Sequence, residues 1–554
     1  MSKFGRKLSH LFSALVLLLS VFVALPGLAK ADTAPKTIKL TINDSSSSKD
    51  FKYNGYRIMT AEVNDQDKDA VKYTLNDKYE KAVLDAAKSV DKDVTDFTSF
   101  KAFLKKNEGS TNTGETSNMR KFADQLYKNI QSAKLDKDKT PDKTFNSGEN
   151  TVDVDKEAGY YLLVDATADN ADNPHNYSAT LLTGLVNEDK TLNVKPITPI
   201  VHKKVLEGPN AKTGNTRSYV DATDYNIGDE VPFMITGTIP SLIKSYDSYT
   251  YTFTDTLPEG LTLKENSIQV HHEKVANDKY ATGKPAKDSD ILPTKDWTFS
   301  KNSDGSFEVK INDLKSLVES GTISTDDTIV VTYTAKLNDK AIIGGQGNTN
   351  KVNLTYSNNP NGTGTGTTTD RHAKVYTYEL DVNKVTDGKA LAGAGFTLYK
   401  GNGDKDEDKI AEITPDKAEE VNGVKNKFVF KGLQQGKYTL KETTVPKGYH
   451  KAADVTFTIN AEYGGQNTAG ATLKTLSVEK NSSDDNNTTF TAPEQDSNKE
   501  YSGIVSTNVN NISDHDVVLP STGGMGRYIF LAVGALVVVA AVAFPSLKKK
   551  KLNN

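Results

Sequence analysis

The segment Tyr438-Thr439-Leu440-Lys441-Glu442-Thr443-Thr444-Val445-Pro446-Lys447-Gly448-Tyr449 opens with a short strand, Tyr438 to Lys441. Phe396 to Tyr399 and Lys427 to Phe430 are strands of similar length upstream of it. Further back, Glu230-Val231-Pro232-Phe233-Met234-Ile235, Tyr249 to Phe253, Thr328 to Thr334 and Val352 to Tyr356 carry the same signal. The chain holds 24 Tyr, 20 Phe and many Thr and Val but a single Trp, Trp297, a palette that suits strands. These features predict a mainly β protein, with tandem immunoglobulin-like β-sandwich domains in series as a rod.

Toward the N-terminus the pattern is mixed. Thr37 to Ile42 alternates like a strand, then Tyr79, Ala82, Val83 and Ala86 repeat with helical spacing behind a candidate Asn76 cap. Phe122, Leu126 and Ile130 form a second helical face, and strands return at Gly159 to Val164 and Ala179 to Val186. The expectation is a β scaffold with helical insertions over residues 32–195. Prolines 196 and 199 punctuate the next boundary. A second domain is expected over 196–378, with the Gly/Thr-rich stretch from Asn361 to Thr369 as an exposed loop, and a third over 379–516.

The two ends carry export and attachment signals. Lys3, Arg6 and Lys7 precede an apolar stretch from Leu11 to Leu25, and Ala29-Lys30-Ala31 has the small-x-small pattern of a signal-peptidase site. Residues 1–31 therefore read as a signal peptide. At the other end, Leu519-Pro520-Ser521-Thr522-Gly523 is followed by an apolar run from Tyr528 to Phe544 and four lysines, Lys548 to Lys551. The run is short for a bilayer crossing, and the lysines would hold its end on the cytoplasmic side.

Composition removes some classes of function. Net charge is −4 with both signs interspersed, and no basic block outside the tail suggests nucleic acid. No HExxH, GxSxG or cysteine nucleophile is present, which argues against a hydrolase. The acidic loop from Asp165 to Asn176 lacks the mid-loop Gly and closing Glu of an EF-hand and reads as a solvated loop. His271 and His272, adjacent on a strand, point to opposite faces and read as surface residues, not a metal pair. No cofactor or metal is expected. The chain has no cysteine at all, although exported proteins normally gain rigidity from disulfides. Another source of rigidity is needed.

The order of short motif, apolar stop and basic tail over residues 519–554 resembles the LPxTG cell-wall sorting signal of Gram-positive surface proteins. The Tyr438–Tyr449 segment resembles the E-box signature of Cna-B-type domains of Gram-positive pilins. Leu380-Asp381-Val382-Asn383-Lys384-Val385 resembles the first strand of such domains, and Val505 to Asn511 their last. The resemblance implies an intramolecular isopeptide bond from Lys384 to an asparagine, promoted by Glu442. An amide is a poor electrophile and an ammonium no nucleophile; an apolar core favours the neutral amine and the neutral acid that the reaction needs. Lys384 shares strand parity with Leu380 and Val382, and Asn511 with Val505 and Val509, which favours Asn511 over Asn508 or Asn510.

Val201-His202-Lys203-Lys204-Val205 and Tyr251 to Leu261 resemble the corresponding strands of the middle pilin domain. There Lys203, with Lys204 as the other choice, would react, and Asp255 would be the promoting acid. Leu354 to Pro360 resembles the strand supplying the asparagine, and parity with Leu354 and Tyr356 favours Asn358. The first domain offers no comparable triad. Lys195, just before Pro196, matches the place of the acceptor lysine in pilin backbones, without the usual YPK form.

The resemblance as a whole implies a major pilus subunit, wall-anchored and extracellular, that is a sortase substrate and not an enzyme. Its expected partners are pilus-specific and housekeeping sortases, other copies of itself, minor pilins and peptidoglycan, with host matrix proteins a further candidate. The alternative is a monomeric LPxTG-anchored adhesin, which would need no acceptor lysine.

Overall fold

The computed structural model describes residues 36–514, apart from the segments 45–50, 65–69, 108–116, 136–140, 168–176, 195–197, 211–216, 276–280, 404, 467–470 and 482–487. The signal segment, Lys195 and the whole LPSTG region lie outside the described residues.

The first domain packs a three-stranded sheet against a five-stranded one. Thr37–Asp44 is central in the smaller sheet, antiparallel to Gly148–Asp153 and parallel to Lys190–Val194. In the larger sheet Lys52–Val63 pairs with Val71–Leu75, Lys143–Asn146 and Gly159–Asp165. Every residue of Gly159–Asp165 is buried. Tyr160, Leu162 and Val164 face a helical layer, while Tyr161 and Leu163 face the smaller sheet. A strand covered on both faces has no need of polar alternation, which explains the continuous apolar run.

The helices are Glu80–Val90, Phe97–Lys106 and Asn118–Ser132, and they bury Ala82, Val83, Ala86, Phe122, Leu126 and Ile130 as their spacing requires. The expected Asn76 cap is not one. The helix begins at Glu80 behind Tyr79, while Asn76 organises the preceding turn by accepting from the Lys78 amide at 3.1 Å. The helix at Phe97–Lys106 is an addition to the expected pair; it buries Phe100, Phe103 and Leu104 at helical spacing, and Asp96 and Ser99 close a capping box at its start.

The second domain is a sandwich of a five-stranded and a seven-stranded sheet. One runs in the order Tyr219–Val220, Val201–Leu206, Glu230–Thr238, Asp327–Leu337, Leu261–Lys274. The other runs Ala222–Asp224, Arg371–Tyr376, Asn348–Ser357, Tyr251–Thr256, Phe307–Ile311, Trp297–Lys301. Within the expected Gly/Thr-rich loop, Thr365–Thr367 instead pairs with the Asn348–Ser357 strand. In the third domain the first strand, Tyr378–Thr386, lies parallel to the last, Ile504–Asn510, with Lys384 opposite Val509. A facing sheet contains Gly395–Lys400, Gly436–Thr444 and Val455–Gly464. Each sandwich closes over its own apolar core.

The joint between the second and third domains is polar and tightly fitted. Asp224 is fully buried there and accepts from Tyr463 Oη and from Gln435 Nε2 at 3.0 Å. Gly344, at φ +56°, meets Gly503 so closely that a Cβ would stand 2.4 Å from the Gly503 nitrogen. Burial raises the Asp224 pKa to about 6 despite those hydrogen bonds. Because the folded form holds this proton more tightly than the unfolded chain, stability is gained as pH falls through 6 and is fully present below about 4. The expected gain is at most about 3 kcal/mol. Melting curves of Asp224→Asn and the wild type between pH 7 and 4.5 should converge as the pH falls; parallel curves would refute this.

Candidate cross-linking sites

In the third domain, alternation along Tyr378–Thr386 sends Leu380, Val382 and Lys384 into the core, each fully buried. The Asn511 backbone amide donates to the Val385 carbonyl at 2.9 Å, which fixes the asparagine beside the lysine strand. Glu442 arrives from the opposite sheet and is 2% exposed. Lys384 Nζ donates to Asn511 Oδ1, lies 3.4 Å from Glu442 Oε1, and also donates to the Val509 carbonyl at 3.1 Å. Asn511 Nδ2 donates to Glu442 Oε1 at 3.0 Å, and the second carboxylate oxygen accepts from the Ala452 amide at 2.7 Å. The structure thus brings amine, acid and amide together, with the Phe396 ring 5.8 Å from the amine.

The second domain gathers an analogous set by a different route. Lys203 on Val201–Leu206 is 1% exposed, and its Nζ donates to Asp255 Oδ2 and, at 2.5 Å, to Tyr333 Oη. Burial pulls the Lys203 pKa down to about 8 against the opposing pull of Asp255, and burial likewise raises that of Asp255. Both shifts favour the neutral pair. Lys204 points the other way and is itself buried, 2.9 Å from Asp221 Oδ2.

The asparagine near this pair is Asn350, where sequence reasoning favoured Asn358. Strand pairing sets Asp255 opposite Val352, so Asn350 is its diagonal neighbour on the same face. Asn358 lies beyond Tyr356, which pairs with Tyr251, roughly 20 Å along the strand from that level at the usual rise. There its carbonyl accepts from the Tyr177 amide at 2.9 Å, a contact with the first domain. Parity could not separate the two, since residues 350 and 358 face the same way. Asn350 is fully buried, its Nδ2 donates to Tyr333 Oη at 2.6 Å, and its Oδ1 has no partner among the described residues.

In the first domain no lysine is buried among the described residues. The histidines read as surface residues are in fact buried: His271 pairs with Glu273 at 2.8 Å and His272 with Asp327 at 3.0 Å. They do point apart, each to its own carboxylate. His271 also forms an isolated backbone bridge with Ile291, a pairing that local sequence does not announce. No cluster of three potential metal ligands occurs among the described residues. Nor is any described helix long and apolar enough to cross a membrane.

Three family models match parts of the chain. Residues 227–360 match the Gram-positive pilin backbone subunit 2, Cna-B-like domain; residues 378–472 match a prealbumin-like fold domain; and residues 516–554 match the LPXTG cell wall anchor motif. The chain's second domain is thus that of a Gram-positive pilin backbone, and its tail is a cell-wall anchor. The trypsin-resistant surface T6 protein of Streptococcus pyogenes is 24% identical over 408 residues, covering 63% of this chain and 70% of that protein. Among solved structures, the T6 backbone pilin of serotype M6 S. pyogenes, described as a modular three-domain structure, aligns with a TM-score of 0.50 at 19% identity. That alignment covers 88% of this pilin and 100% of that chain. The full-length major pilin SpaD of Corynebacterium diphtheriae aligns over 87% of this pilin and 98% of its own length, with a TM-score of 0.40 and 16% identity. The pilin is thus a wall-anchored structural subunit of a surface pilus and not an enzyme. As a backbone pilin with an LPXTG anchor it is processed by sortase and polymerises with other pilins.

Proposed function

We propose that this pilin forms the shaft of its pilus as a head-to-tail covalent polymer, hardened by one internal isopeptide bond in each of its second and third domains. A pilus-specific sortase cuts between Thr522 and Gly523 and holds Thr522 as an acyl-enzyme, which Lys195 of another copy resolves. Such a heterologous, non-closing contact generates a fibre instead of a ring. Minor pilins and, through a housekeeping sortase, peptidoglycan are the remaining partners.

The observation that carries this reading is the buried Lys384–Glu442–Asn511 set. A buried ion pair repays its desolvation poorly. Condensation replaces the amine and amide with one neutral secondary amide and expels ammonia, leaving the acid protonated. Lys203, Asp255 and Asn350 take the same parts in the second domain, Asn350 standing where Asn358 was expected.

Deleting Leu519 to Gly523 tests the anchoring half. The apolar run after it only holds the chain in the membrane, whereas transpeptidation depends on the pentapeptide. The deletion variant should be found in the medium or in the membrane fraction, and its persistence in the covalent wall fraction would overturn the reading.

A further inference from the structure

The two cross-linking sets differ in how the acid meets the amide. In the third domain Asn511 Nδ2 donates directly to Glu442. In the second domain Asp255 is one methylene shorter, and its contacts run to Lys203 and Tyr333, not to the Asn350 amide. Its Oδ1, like Asn350 Oδ1, has no hydrogen-bond partner among the described residues. Asp255 and Asn350 are short side chains on one sheet, while Lys203 and Tyr333 reach across to them from the other.

Tyr333 Oη fills the gap. It donates to Asp255 Oδ2 at 2.9 Å and accepts from Asn350 Nδ2 at 2.6 Å and from Lys203 Nζ at 2.5 Å. A phenol has one donor and two lone pairs, and all three are used here on the three reacting partners. The ring is fully buried, stacked on Phe233 at 5.4 Å and edge-on to Phe307 at 5.2 Å, so the hydroxyl is held in place.

We infer that Tyr333 is a catalytic proton relay, passing a proton from Asp255 to the departing amide nitrogen of Asn350. This rests on the proposed cross-linking role of Lys203, Asp255 and Asn350. The neutral Lys203 amine attacks Asn350 Cγ, forming the new C–N bond. Tyr333 gives its hydroxyl proton to Nδ2 and takes the proton of the neutral Asp255 acid, and the resulting carboxylate then takes the surplus proton from the former amine. The Cγ–Nδ2 bond breaks, ammonia leaves, and both Tyr333 and Asp255 end as they stood before the attack. Amine and primary amide have become secondary amide and ammonia, with no other reactant. The third domain needs no relay because Glu442 reaches the amide itself.

The test follows formation of the linked Lys203–Asn350 peptide over time in digests of the full chain. The Lys384–Asn511 peptide serves as internal reference. Tyr333→Phe keeps the packed ring and should slow the first linkage by about 10²-fold or more, as loss of general acid–base assistance does, while leaving the second unchanged. Tyr333→Phe combined with Asp255→Glu lengthens the acid to match Glu442 and should recover linkage, which loss of a merely structural tyrosine would not permit. Linkage at the wild-type rate in Tyr333→Phe overturns the relay alone. If Tyr333→Phe proves unfolded, the double variant decides: recovered linkage supports the relay, and absent linkage overturns it. A wild-type chain lacking the Lys203–Asn350 peptide overturns the cross-linking role itself, and the relay with it.

Discussion

Glu442→Ala should weigh one ammonia more than expected from the substitution alone, yet remain one ammonia lighter than its sequence, because the second domain still closes its bond. Without the acid, nothing takes the proton from Lys384 or delivers one to the Asn511 nitrogen, whose hydrogen bond to Glu442 is 3.0 Å long. The third domain should lose much stability. The lost bond spans almost the whole domain, and for a loop on the order of 100 residues closure is worth about 4.7 kcal/mol by analogy with disulfides. Lys384, fully buried, also loses its acid, and removing one partner of a buried pair costs roughly 3–5 kcal/mol. Intact-mass measurement and calorimetry check both parts. A variant with the ammonia deficit of the wild type would refute the role of Glu442.

Lys195→Arg should abolish the high-molecular-weight ladder in wall extracts while monomer remains on the wall. A guanidinium keeps the charge but stays protonated and cannot attack an acyl-enzyme. Nearby lysines should not substitute. Lys203 lies inside the second core, and Lys204 is 2% exposed and paired with Asp221, so neither is open to a sortase. A ladder unchanged by the substitution would mean that another lysine is the acceptor. Tandem mass spectrometry of the digested polymer would show which lysine carries Thr522.

The third-domain set was legible in sequence because three local signals agreed: the Tyr438–Tyr449 signature, the parity of Lys384 with Leu380 and Val382, and that of Asn511 with Val505 and Val509. The asparagine that lies beside Lys203 and Asp255 was not. Parity says which face a side chain takes, but depth along the strand follows from register against a partner far away in sequence. Only the pairing of Asp255 with Val352 singles out Asn350 from Asn358. Tyr333 escaped for the same reason: its strand reads as ordinary core, and its hydroxyl matters through groups on the other sheet. The burial of His271 and His272 escapes sequence reading because Asp327, the partner of His272, and Ile291, which bridges His271, come from distant segments. The mixed first domain was readable in its helices, where the 3.6-residue period is strong, more than in its caps.

The parallel pairing of the first and last strands of the third domain has a mechanical consequence. Tension enters that domain through its C-terminal strand and leaves through Tyr378–Thr386, two neighbours in one sheet. With Lys384 joined to Asn511, the pull passes from one strand to the next through a covalent bond, and everything between those two residues hangs as an unloaded loop. With the proposed Lys203–Asn350 bond in place, force would be shunted around most of the second domain in the same way. With Lys195, which follows the strand Lys190–Val194 in sequence, as the proposed acceptor, the first domain would hang wholly beside the line of force. A shaft wired like this should pull taut without paying out hidden chain, and its first domains are free to vary or to unfold without lengthening the fibre.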